Sequence, residues 1–156
     1  MNYARREALK TGGGITLLTL IFASGFLKPG EAISAEWNKA AFDTKNLADT
    51  MKALGGGNPA ESADIVMTAP DIAENGAVVP VSVQSKIPKT ESIAILIEKN
   101  PNMLTATFEI PEGTEPNIGT RVKMGQTSNV FALVKADGKY YTVAKEIKVT
   151  LGGCGG

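Results

Sequence analysis

The sequence predicts a mainly β protein: an immunoglobulin-like β-sandwich of about seven strands, with an N-terminal helix before it and a Gly-Gly-Cys-Gly-Gly arm after it. Three observations carry that expectation. Runs rich in β-branched residues recur about every ten residues from Asp64 onward. Clusters of Gly, Pro, Asn and Asp separate those runs. Helical periodicity is confined to one stretch, Trp37 to Leu54.

Within that stretch, Trp37, Ala40, Ala41, Phe42, Leu47, Ala48, Met51 and Leu54 mostly keep i, i+3, i+4 spacing, which predicts one helix over 37–54. Gly55-Gly56-Gly57-Asn58-Pro59 ends it. Trp37 and Phe42 read as core anchors. The strands expected next are Asp64–Ala69, Val78–Gln84, Ser92–Ile97, Leu104–Ile110, Gly119–Met124, Asn129–Ala136 and Lys139–Leu151. The expected turns are Glu74-Asn75-Gly76, Asn100-Pro101-Asn102, Pro111-Glu112-Gly113 and Asp137-Gly138. The last is a two-residue loop between apolar runs, the strongest local hairpin signal in the chain. Ile72 and the Val78–Val83 run exceed what one sheet face needs, so Pro70–Val83 is a candidate for part of a partner-binding face, with the chain's own core as the other use.

The first thirty-five residues read as an export signal. Arg5-Arg6 precede an apolar run from Ile15 to Leu27, which is too short to span a bilayer and is broken by Pro29-Gly30. The pattern resembles a twin-arginine leader, with Ala8 where a phenylalanine is common; an ordinary secretory signal and an uncleaved membrane anchor are the alternatives. Cleavage is expected after Ala35 or Ala32. Removing Arg5, Arg6, Lys10 and Lys28 from the 16 cations, and Glu7 and Glu31 from the 16 anions, leaves 12 and 14. A near-neutral, slightly acidic domain of about 120 residues argues against a nucleic-acid partner. The chain has no histidine, which excludes His-ligated zinc, histidine general bases and Cys-His pairs. A single cysteine makes no CxxC pair and holds no iron–sulfur cluster. The acids Glu91, Glu98, Glu109, Glu112 and Glu115 are spread over strands and turns and read as solvated faces. No cofactor or metal is expected, and no catalytic residue.

The single cysteine, Cys154, stands between Gly152-Gly153 and Gly155-Gly156. Glycine loses more conformational freedom than any other residue on being fixed, so these four positions predict a flexible arm that presents a thiol outside the fold. In an oxidising compartment a lone thiol has no intramolecular disulfide partner; it pairs with another molecule, carries an adduct or is kept reduced.

The ending Val149-Thr150-Leu151-Gly152-Gly153-Cys154-Gly155-Gly156 resembles the carboxyl terminus of the SoxY family, the sulfur-substrate carriers of the periplasmic thiosulfate-oxidising Sox system. Pro70-Asp71-Ile72-Ala73-Glu74-Asn75-Gly76 with Val79-Pro80-Val81, and Thr120-Arg121-Val122-Lys123-Met124 with Thr127-Ser128, resemble that family's internal signatures. The resemblance implies a SoxY-like domain over 36–151, a carrier arm over 152–156 and a non-catalytic role, with sulfur intermediates riding on Cys154. It implies a SoxZ-like subunit as heterodimer partner. It implies transient contacts with a SoxA–SoxX-like cytochrome, a SoxB-like hydrolase and, where one exists, a sulfane dehydrogenase. Two other readings remain at this point. One is a ubiquitin-like carrier bearing sulfur as a thiocarboxylate on Gly156, opposed by an export signal that leads away from ATP. The other is an exported structural sandwich that dimerises through Cys154.

Overall fold

The computed structural model describes residues 38–150. Two helices lead: α1 (Lys39–Phe42) and α2 (Leu47–Ala53). Nine strands follow: β1 (Ala60–Glu61), β2 (Ile65–Thr68), β3 (Ile72–Ala73), β4 (Val79–Ser85), β5 (Thr90–Ile97), β6 (Leu104–Glu109), β7 (Asn117–Val122), β8 (Ser128–Ala136) and β9 (Lys139–Val149). The smaller sheet has the order β2-β4-β7 and the larger one β1-β9-β8-β5-β6, with β3 added beside β9. The chain alternates between the sheets at every step from β1 to β5, and changes again between β6 and β7 and between β7 and β8. This is the immunoglobulin-like sandwich that the strand spacing predicts.

The single helix expected over 37–54 is two, and the break has a local cause. Asn46 has extended backbone angles and its side-chain oxygen accepts from Asp49 N at 2.9 Å, while its amide donates to the Asp49 carboxylate at 2.6 Å. This reciprocal cap opens a new helix at Leu47 instead of continuing the first. Thr44, in the break, donates to Ala41 O at 2.6 Å and shares a 2.7 Å bond with the buried hydroxyl of Thr50. The predicted stop holds: Gly55 lies in the left-handed region (φ 77°), with Gly55 N on Lys52 O and Gly56 N on Met51 O. Those two bonds are a Schellman close. Phe42 is half-buried against the helix core, and Trp37 lies outside the described residues.

All seven expected strands form. The two additional ones, β1 and β3, are two-residue parallel pairings onto β9, too short to carry any periodicity. Val79, Val81 and Val83 of β4 point inward with Ile93, Ile95 and Ile97 of β5 and Val130, Ala132 and Val134 of β8. The Val78–Val83 run therefore divides: alternate residues fill the chain's own core, while Val78 (49 % exposed) and Ile72 (57 %) stand outside it. A second core lies on the other face of the large sheet, where Ala94, Leu96, Leu104 and Leu133 meet Ala41 and Met51 of the helices. Strand β5 is thus covered on both faces, which accounts for its unbroken run Ile93-Ala94-Ile95-Leu96-Ile97, all buried. At the β8–β9 turn, Asp137 (φ 49°) and Gly138 (φ 72°) are both left-handed and Ala136 pairs with Lys139, the geometry of a two-residue type I′ hairpin.

Candidate functional site

Cys154, Gly152, Gly153, Gly155, Gly156, Arg5 and Arg6 lie outside the described residues, as do the signal segment over 1–35 and the arm over 152–156. The structure describes the platform from which the cysteine segment departs, at the carboxyl end of β9. The ladder between β8 and β9 ends at the pair Ser128–Ile147, yet β9 continues to Val149. Three residues beyond that ladder are held by other parts of the chain.

Lys148 N donates to Asp71 O at 2.9 Å and Thr150 N to Ala73 O at 3.1 Å, which is the parallel pairing with β3. On the other side, Val149 N donates to the hydroxyl of Thr127 at 3.0 Å. That hydroxyl stands in for the backbone partner that β8 no longer supplies. The Val149 side chain packs against Gly76, which is itself buried: a Cβ there would overlap the carbonyl oxygen of Met124 and lie 2.8 Å from Val149 Cγ1. Gly76 O accepts from Met124 N at 2.7 Å, and Met124 is fully buried. The turn before Val78 is shaped by Asn75, whose side-chain oxygen accepts from Ala77 N at 2.9 Å. Ser128 completes this end: its hydroxyl accepts from Lys99 N at 3.0 Å and donates to Asn129 O at 3.1 Å.

Lys145 points to the inner side of β9 at the stretch between β1 and β3. Its ammonium donates to Ala69 O and pairs with Asp71 at 2.9 Å. An inward-facing charge on an edge strand protects that edge from further pairing. With Asp71 largely exposed, the pair contributes more to register than to stability.

The segments singled out in the sequence by resemblance, 70–76 and 120–128, therefore meet around the last residues before the cysteine arm. The roles of Thr127, Gly76 and Lys145 were not readable from spacing. Each depends on a partner at least twenty residues away, and a hydroxyl, a missing Cβ and a lysine leave no periodic trace.

The rest of the described surface carries no comparable convergence. An open hollow of about 360 Å³ lies between the Gly55–Gly57 loop and Lys139–Tyr141, and one of about 440 Å³ lies among Lys86, Lys89, Pro111 and Gly113. Both are at the opposite end of the sandwich from Val149. Among the described residues no group of three or more His, Cys, Asp or Glu side chains is placed to hold a metal. Glu91 and Lys135 form a 2.7 Å ion pair at that far end. The lysine's hydrogen bond, then the N–H of Gly138, holds the Glu91 carboxyl below its ordinary 4.5; the same bond raises Lys135 above 10.5.

Comparison with known proteins agrees with this geometry. The family model of the sulfur oxidation protein SoxY matches residues 50–154. This chain belongs to the SoxY family. The match runs to Cys154 and so includes the arm up to its thiol. The solved structure of the sulfur carrier protein SoxY from Chlorobium limicola f thiosulfatophilum is 38 % identical, covers 66 % of this chain and 94 % of its own, and aligns with a TM-score of 0.60. A structure describing T cell specificity and activation by the superantigen toxic shock syndrome toxin-1 is 14 % identical over 55 % of this chain and 99 % of its own. Its TM-score of 0.40 is too low to bear on fold or function. No curated protein matches the chain. Membership of the SoxY family brings with it a carrier role in sulfur oxidation.

Proposed function

We propose that this chain is the periplasmic sulfur carrier of a thiosulfate-oxidising system and holds its cargo covalently on Cys154. The observation that carries the reading is the family match through residue 154, joined to a β9 strand that is held to its last described residue. The single thiol of the chain follows four residues after Thr150, at most about 13 Å of extended backbone away. The interval, Leu151-Gly152-Gly153, carries no charged side chain to promote the thiolate. The carrier is therefore inert alone and reacts inside the active sites of its partners.

Loading joins the Cys154 sulfur to the outer sulfur of thiosulfate. The thiol proton and two electrons leave, the electrons going to a SoxA–SoxX-like cytochrome, and a Cys154–S–S–SO₃⁻ adduct remains. A SoxB-like hydrolase then adds water across the terminal S–S bond. Sulfate and two protons depart, and the persulfide anion, Cys154–S–S⁻, stays on the carrier for a sulfane dehydrogenase. Arg5-Arg6 direct export by the twin-arginine route, and a SoxZ-like subunit completes the working heterodimer.

The face offered to that subunit is the outer side of the β2-β4-β7 sheet. It carries Val66, Thr68, Pro80, Ser82 and Gly119, with Arg121 the one charged side chain among its strand positions. A solvated sheet face ordinarily carries more charge than this; an obligate interface does not.

The deciding experiment incubates the heterodimer with thiosulfate and the cytochrome and reads the intact mass of the carrier. An adduct forms on the wild type and none on Cys154→Ser; an adduct that persists in Cys154→Ser overturns the proposal.

A further inference from the structure

The three residues after the β8 ladder pose a question of design. β9 could have left the sheet at Ile147, as a terminal strand ordinarily does once its partner ends. Instead two separate segments reach across to hold Lys148, Val149 and Thr150, and every one of those three amides has an acceptor. Ile147 is the last fully buried side chain of the strand, and beyond it Val149 is only partly buried at the margin of the sandwich core.

We infer that Gly76 and Thr127 are positioning residues, forming a collar that sets the length and exit direction of the tether to Cys154. The inference rests on the carrier reading above and deepens it. With the collar closed, four residues separate the last held position from the thiol, about 13 Å at full extension. With it open and the short β3 pairing of Lys148 and Thr150 lost with it, the chain is released from Ile147, seven residues before the thiol, and the reach grows to about 23 Å. Once a linker is longer than its task requires, the effective concentration of the tethered group falls roughly as the −3/2 power of length, here about twofold. Loss of a fixed exit direction adds to this, since a buried reacting centre accepts the thiol from a narrow range of approaches.

The two residues act differently. Gly76 leaves room for Val149 and Met124, so any side chain there pushes the end of β9 out of its seat. Thr127 supplies the hydroxyl oxygen that accepts from Val149 N.

The test uses the full mature chain with its partner subunit, thiosulfate and the oxidising cytochrome, and follows the initial rate of adduct formation against carrier concentration. Thr127→Val keeps the side-chain volume and removes the acceptor; Thr127→Ser keeps the acceptor. Thr127→Val lowers kcat by about threefold or more with KM little changed, because docking surfaces are untouched and only presentation suffers. Thr127→Ser restores the rate. The reaction of Cys154 with the small reagent dithiobis(nitrobenzoate) is the same in all three, since a small reagent does not sense the tether. Amide exchange at Val149 accelerates about tenfold in Thr127→Val, corresponding to about 1.4 kcal/mol of lost protection. Gly76→Ala reproduces the kcat loss by displacement.

Wild-type kcat in Thr127→Val overturns the collar while leaving the carrier intact, as does unchanged exchange at Val149. Equal slowing toward the small reagent also overturns it, because the effect would then lie in the thiol. Absence of any adduct on the wild type removes the carrier reading itself, and the collar with it.

Discussion

Strand β9 begins and ends under different rules. At Lys139 it leaves a two-residue hairpin in continuous register with β8, and to that local pairing other segments add side contacts: Asp137 N on Lys89 O, Gly138 N on Glu91 and the Tyr140 hydroxyl on Leu54 O. At Val149 it has outrun β8 and is held by residues from 71 to 76 and by Thr127. The register of the hairpin end is set locally, by the left-handed angles of Asp137 and Gly138 and the pairing of Ala136 with Lys139. The arm end is an assembled one and exists only when three distant segments have already met. Its cost in chain entropy is larger, and a bare strand terminus has no need of it. The difference teaches where the molecule invests in position: at the end of the strand that leads to the proposed carrier thiol.

The largest expected contrast between the two ends is functional. Changes in the hairpin, such as Gly138→Ala, leave loading of the thiol intact, whereas replacing Gly152 and Gly153 by valine slows it by about tenfold or more through a stiffer, bulkier tether. Intact-mass time courses on both variants check this, and equal rates would remove the distinction.

A charge in the middle of the outer β2-β4-β7 face comes next. If this is the face offered to the proposed SoxZ-like subunit, Ser82→Arg buries an unpaired guanidinium there and weakens that heterodimer by about a hundredfold, or roughly 3 kcal/mol. Sedimentation velocity reads the dissociation; unchanged association moves the partner to another face.

Alanine at the two glycines separates steric from conformational strain. Gly76→Ala destabilises by about 3 kcal/mol, because its Cβ meets backbone and a packed valine. Gly138→Ala costs about 1–2 kcal/mol from the left-handed angle alone, with open space around it. Asparagine tolerates that angle, so Gly138→Asn recovers most of the loss, while Gly76→Asn recovers none. Urea denaturation of the four variants gives the comparison.

Smaller still is the pH response of the hairpin end. The Glu91 carboxyl titrates lower in the fold than its ordinary 4.5, so its contribution is complete above that value and is lost as pH falls through the depressed one. Lys135 titrates above 10.5, so its contribution is complete below that value and is lost as pH rises through the raised one. Both groups face solvent, and the effect is slight. Glu91→Gln flattens the acid side of the Tm–pH curve without touching loading; an unaltered acid limb would mean the pair does not couple to folding.

Seven strands, the helix stop at Gly55 and the Asp137-Gly138 hairpin could be read from the sequence because each is written in neighbouring residues: period-2 alternation, a glycine run, two left-handed angles. The lone thiol between glycine pairs was equally plain, since composition alone marks it. The split of the expected helix was also written locally, in Asn46 and Asp49, but an i, i+3, i+4 count passes over a cap that interrupts it. Whether Val78–Val83 served a partner or the core needed the sandwich, because alternation states that one face is buried without stating against what. The second core on the outer side of β5, the two-residue strands β1 and β3, and the collar of Gly76 and Thr127 about the end of β9 were decided by the folded chain. Their energies come from contacts between segments tens of residues apart, where a hydroxyl finds an amide or an absent Cβ admits a valine, and such contacts come into being only once the two sheets have closed.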